Sequence, residues 1–320
     1  MHSTHRLRPR LRVFVFALAF VAGPAGELRG QALTLPCTAN LRPGECPGYP
    51  VPTDHRLRGH AVALGVNAAI GGLAAGVVRA ARGESFRDGF LQGAAGGGIG
   101  YLGKYIATTE LPAAWWVGRQ TAAIGASITR AALTGEDAFQ TLTFPVGPVR
   151  IHRDTSGTRF TLDALTLGGA IYGMTRPGAK LDLRETLATG ALVFEVDRIR
   201  EQSSNTEVLG TAVGGAVLHR GSVFHYRARE ILAHEFVHVL QHDFAATAFA
   251  DPFEGWLAGK APGPLALPLR YLDLGTHTVL KVFVTAIGMT GHDSPWEQEA
   301  YFLVRETNGG DYGFIAESGR

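Results

Sequence analysis

The chain has 320 residues, 46% of them apolar and 18% charged, with a formal net charge of +2. That balance supplies enough apolar side chain for a sizeable core and excludes a disordered polyelectrolyte. Two cysteines in 320 residues exclude a disulfide-stapled scaffold, and the near-neutral charge speaks against a nucleic-acid binder.

In chain order, residues 1–32 read as a signal peptide. Arg6, Arg8, Arg10 and Arg12 precede VFVFALAFVAGPAG, a run without a charge. A basic start before a short apolar run is the pattern of a secretory leader, and this run is too short for a comfortable membrane span. Cleavage is expected after Ala25 or Ala32. Loss of residues 1–32 removes Arg6, Arg8, Arg10, Arg12, Arg29 and Glu27, moving the net charge from +2 to −2. The chain is therefore expected to be exported, to the periplasm, the cell envelope or the medium, with no basic patch for nucleic acid. Residues 33–58 hold Cys37 and Cys46 in CTANLRPGEC, and an exported chain is expected to join them as a disulfide.

Residues 59–144 are rich in Gly and Ala. Gly65, Gly72 and Gly76, then Gly96, Gly100 and Gly103, recur at helical spacing. Such spacing lets helix backbones approach closely and predicts a packed helical bundle, with membrane or envelope association through these helices. Membrane-spanning helices are the competing reading, and Ala61 to Val78 just reaches the length for one but holds Asn67.

Residues 145–221 change to short alternating, β-branched runs. Breaks fall at Thr155-Ser156-Gly157, Arg176-Pro177-Gly178 and Ser203-Ser204-Asn205. This pattern predicts antiparallel strands joined by hairpins, as a small sheet or partly closed barrel. One of these strands is a candidate to hold an extended substrate by edge pairing. His152, His219 and His225 read as ordinary polar residues.

Residues 222–320 carry the chemistry. ILAHEFVHVLQHD places His234 and His238 four residues apart around Glu235. On a helix that spacing stacks both imidazoles on one face, where a single zinc ion can bridge them. Glu235 then stands beside the metal's open position, where a carboxylate can take a proton from a water that the metal has made acidic. Ile231, Leu232, Phe236, Val237, Val239 and Leu240 supply the apolar stripe of a half-buried helix. His242 lies about 12 Å along the axis from His234, too far to bind the same ion, which leaves a supporting role or a polar helix end. The stretch from Phe244 to Gly275 reads as loop-rich, punctuated by Pro252, Pro262, Pro264 and Pro268, and THTVLKVFVTAIGMTG as a short helix or strand. In DSPWEQEAYFLVRE, Ser294-Pro295 is a helix start, and Glu297 and Glu299 are the acids offered. Two residues apart, they diverge by more than half a turn, so only one can face a metal.

His-Glu-x-x-His on one helix and Glu-x-x-Ala on a later one resemble the gluzincin-type zinc metallopeptidases over residues 226–306. Gln241 and Phe244 stand where metzincins have Gly and a third His, which excludes that class. With the regions read above, the expected fold is α+β: a Gly/Ala-rich helical bundle and a small antiparallel sheet, then the zincin-like helical metal site that the resemblance implies. The resemblance also implies Zn2+ held by His234, His238 and Glu297, with Glu299 as the alternative third ligand, and Glu235 as general base on a peptide or protein substrate. Tyr301 follows the alanine where some members have Asp. Tyr301, His277 and Tyr271 are candidates to stabilise a developing oxyanion. Two other readings compete: a non-catalytic envelope protein with a structural zinc clasp, and an integral membrane protein.

Overall fold

The computed structural model describes residues 53–109, 111, 113–200, 207–220, 225–263, 271–276 and 295–308. The expected leader, the Cys37 and Cys46 pair, His277 and the apolar run that follows it lie outside the described residues. The described chain is α+β.

Three helices, α1 (Thr53–Ala81), α2 (Phe86–Thr108) and α3 (Ala114–Thr134), come first and pack as antiparallel neighbours. Ser85 caps α2 by accepting from the backbone N–H of Asp88, and α3 stops where Gly135 turns left-handed at φ 82°. Helices lie this close because the contacts are backbone on backbone. A methyl at Gly93 would run into the carbonyl of Gly71 on α1, and one at Gly103 into the backbone N–H of Ala122 on α3. Among the described residues, Arg58–Ala81 is the one helix long and apolar enough to cross a membrane, and 33% of that window is buried in the fold.

Next, β1 (Thr141–Val146), β2 (Val149–Asp154) and β3 (Gly157–Asp163) form an antiparallel meander, as the alternation predicts. The rest of this region departs from the all-antiparallel expectation. Helices α4 (Ala164–Met174) and α5 (Leu183–Thr189) replace expected strand, because Asp163 and Asp182 each cap a helix by accepting from a backbone N–H three residues on. The second sheet runs β4 (Lys180–Leu181), β5 (Leu192–Val196), β9 (Ala216–Arg220), β8 (Gly210–Val213), and its central pair β5 and β9 is parallel. Strands β6 (Ile199–Arg200) and β7 (Glu207–Val208) pair separately. The second sheet is therefore mixed.

Helix α6 (His225–Ala245) continues through a π-helical turn, Ala246–Ala250, into α7 (Asp251–Lys260). The expected loop thus begins only past Lys260. Pro252 sits in the first turn of α7, directly after the π-helical turn. A two-residue strand, β10 (Leu272–Asp273), joins β3 in parallel, and α8 (Pro295–Asn308) closes the described fold.

The core lies on both sides of α6. Leu232, Phe236, Val239 and Leu240 pack with Val193 and Val217 of the second sheet and with Ala107 and Ala122 of the bundle. Val237 packs with Ala300 and Leu303 of α8 and Tyr101 of α2. With both flanks of α6 taken up by apolar packing, its polar stripe is left facing α8.

Candidate metal centre

That polar stripe is His234, His238 and Gln241. Opposite it, Glu297 in the first turn of α8 brings a carboxylate onto both rings. His234 Nε2 lies 3.1 Å from one carboxylate oxygen and His238 Nε2 3.1 Å from the other. The two Nε2 atoms are 3.2 Å apart. Ligands bonded at 2.0–2.1 Å to a tetrahedral zinc stand about 3.3 Å from one another. Three donors with these separations, two imidazole nitrogens and one carboxylate, therefore fit zinc by size and by chemistry. Burial would raise the Glu297 carboxyl, but hydrogen bonds and charge from His234 and His238 outweigh it and hold the group well below the usual carboxylate range. Burial lowers His238, and Glu297, Glu235 and Gln241 together more than reverse that.

Glu235 lies on the side of α6 facing the second sheet. Gly210 of β8 comes so close that a Cβ there would stand 2.6 Å from Ile231 Cγ2 and 2.9 Å from Glu235 Cγ. A backbone hydrogen bond from Ala212, also on β8, reaches the Glu235 carboxylate. Burial pushes this carboxyl up, His234 and His238 pull it down, Glu297 pushes it up again, and the outcome is above the ordinary range. A carboxyl raised in this way is suited to taking up a proton.

Glu299 points elsewhere. Its two oxygens each lie 2.6 Å from Lys104 Nζ of α2, and one accepts at 2.7 Å from Asn67 Nδ2 of α1. Gln241 also donates to it at 2.9 Å, and the same amide's oxygen lies 2.8 Å from His238 Nδ1. Neither Gln241 nor Lys104 stands out in the sequence by a motif. The available signal was that Lys104 is the only charge in GFLQGAAGGGIGYLGKYIA and Asn67 the polar residue in the longest apolar run. An isolated polar residue in such a run needs a buried partner.

The other expected site residues divide. Tyr301 stacks obliquely on His234, ring centroids 4.4 Å apart, and burial with Glu297 and Glu235 nearby pushes its hydroxyl pKa up. His242 meets the first sheet: its Nε2 lies 2.7 Å from Asp163 of β3. Tyr271 is exposed just before β10. His152 is buried between Thr143 and Thr161, at 3.0 and 2.8 Å. Asp163, His242 and Asp243 converge closely enough to hold an ion by distance alone. Two buried guanidiniums already meet that charge, Arg150 at 2.7 Å from Asp163 and Arg119 at 2.8 Å from Asp243.

No protein-family model, curated protein or solved structure matches the chain.

Proposed function

We propose that this chain is an exported zinc-dependent hydrolase of the metallopeptidase kind, with His234, His238 and Glu297 holding the metal. The observation that carries the proposal is the meeting of Glu297 with two histidines on another helix, 63 residues from His234, at tetrahedral-edge distances. Zinc bound there supplies Lewis acidity, lowering the pKa of a water toward neutrality and polarising a carbonyl. The Glu235 carboxylate accepts a proton from the attacking water, and the water oxygen bonds to the carbonyl carbon. The carbon–nitrogen bond then breaks as Glu235 returns the proton to the leaving amine. Strand β8 is the last strand of its sheet among the described residues and runs beside Glu235. Its outer edge is where an extended peptide would pair, presenting the scissile carbonyl to the base. Export rests on the leader-like residues 1–32, and the peptide substrate on the gluzincin resemblance.

The test is metal content together with peptide hydrolysis by the purified full chain. One zinc per chain is expected, lost in Glu297→Ala and retained in Glu235→Gln, whose turnover falls by at least about 100-fold. Wild-type protein that takes up no zinc after refolding with the metal, or a Glu235→Gln variant with full activity, sinks the proposal.

A further inference from the structure

A histidine binds metal through one ring nitrogen only if the proton sits on the other. In this fold, hydrogen-bond directions determine where that proton lies for His238. The Gln241 amide nitrogen faces two groups that can only accept, the Trp296 carbonyl oxygen at 3.0 Å and Glu299 at 2.9 Å. The NH2 end must therefore point at α8, because the reversed amide would aim its oxygen at a carbonyl and a carboxylate. The amide oxygen is left facing His238 Nδ1 at 2.8 Å, and since that oxygen can only accept, Nδ1 carries the proton. Nε2, the atom directed at His234 and at the Glu297 carboxylate, is then the nitrogen whose proton a metal ion would replace.

The same logic continues into the bundle. Glu299 must be an anion to accept from Gln241, Asn67 and Lys104 together, and Lys104, 5% exposed, is tolerated as a buried ammonium because that anion meets it. Asn67 is oriented as well: its NH2 donates to Ala63 O at 2.9 Å and to Glu299, and its oxygen accepts from Lys104 at 2.8 Å. From Lys104 to His238, no group in the series can reverse its direction without setting donor against donor or acceptor against acceptor.

We propose that Gln241 is a positioning residue for the metal centre, and that Glu299, Lys104 and Asn67 hold it so that His238 presents Nε2 to the metal. This rests on the zinc reading above, and it makes two helices of the Gly/Ala-rich bundle, α1 and α2, part of the site. The bundle supplies the cation and the amide that make His238 ready to bind, in addition to its packing.

The experiment uses the full-length chain in two arms. In the first, the metal-free protein carries 15N-histidine and Glu297→Ala, which removes the carboxylate competing for the Nε2 proton, and long-range proton–nitrogen NMR reads which nitrogen of the neutral His238 ring is protonated. With Gln241 present Nδ1–H is expected, and Gln241→Met in the same background should shift toward Nε2–H. In the second arm, zinc affinity is measured by chelator competition. Gln241→Met and Lys104→Met are each expected to weaken binding by about 10- to 100-fold, and Lys104→Arg to retain most of it. Lys104→Met added to Gln241→Met should change affinity by no more than about twofold, because the lysine acts through the amide. An unchanged tautomer in Gln241→Met overturns the proposal. So does zinc affinity in Gln241→Met within about twofold of wild type. Circular dichroism checks the fold, and if Lys104→Met does not fold, the half-buried Gln241→Met still decides. Wild type that binds no zinc defeats the hydrolase reading alone, and the tautomer arm then decides this one.

Discussion

Gly210 shows how a single missing side chain shapes the site. Its backbone conformation is ordinary, so what glycine provides here is space: a Cβ would press on Ile231 and on the Glu235 side chain that the proposed mechanism uses as its base. Gly210→Val should displace Glu235 from β8 while leaving His234, His238 and Glu297 in place. The expected outcome is turnover reduced at least about tenfold with zinc stoichiometry unchanged, read by peptide hydrolysis and elemental analysis on one sample. At this scale the sequence was unevenly legible. His234, Glu235 and His238 are written as a local motif, because a helix fixes their geometry from spacing alone. Glu297 and Glu299 were both visible as acids on a later helix, but only packing against α2 separates the one on the histidines from the one on Lys104. Gln241 gave no sign of its role, since its partners His238, Trp296 and Glu299 meet it only after α8 has docked.

The helices α1, α2 and α3 are held by contacts that tolerate no added bulk. Gly103 faces Gly118 and Ala122 of α3 across backbone atoms, so a branched side chain there must drive the two helices apart. Gly103→Val should lower unfolding free energy by about 3 kcal/mol, at the upper end for overpacking, and urea denaturation measures it. The same substitution at Gly65, where added atoms meet nothing, should leave stability almost unchanged. The small-residue spacing foretold close helices, and the apolar stripe of α6 foretold its burial, because both are periodic over many residues. Helices α4 and α5 were missed because apolar alternation outweighed two shorter signals, Asp163 and Asp182 at N-cap positions. Pro252 misled for a related reason: whether proline ends a helix or begins one depends on its position in the turn.

Across the whole molecule, Arg150 ties β2 to β3 and β10 through Asp163 at 2.7 Å and Asp273 at 3.0 Å, and this buried charge carries a pH signature. Asp251, at the start of α7, has its carboxyl pushed up to about 7, chiefly by burial, with Arg150 pulling it down and Asp273 pushing it up. Unfolded, it would ionise near 4. Between those values the folded chain holds a proton that the unfolded chain has released. Stability from this group therefore falls as pH rises from about 4 to about 7, by at most about 1.4 kcal/mol per pH unit. Asp251→Asn should flatten that slope, measured as urea midpoints at pH 5 and pH 8. Asp163 has the opposite sign. Burial would raise it, Arg150 and His242 depress it well below the usual range, and its contribution is lost as pH falls below about 4. None of this network was legible beforehand, because its members are drawn from strands and helices that only the tertiary fold brings together.

Helix α8 holds Glu297 on the histidines, Glu299 on Lys104 and the Trp296 carbonyl on Gln241, all within its first two turns. Three attachments on one helix restrain one another. If zinc sits there as proposed, its departure would be coupled to lifting of α8, at a rate set by a local opening rather than by ligand exchange. A chelator would then wait for the helix: raising its concentration would not hasten the loss, while warming would hasten it steeply.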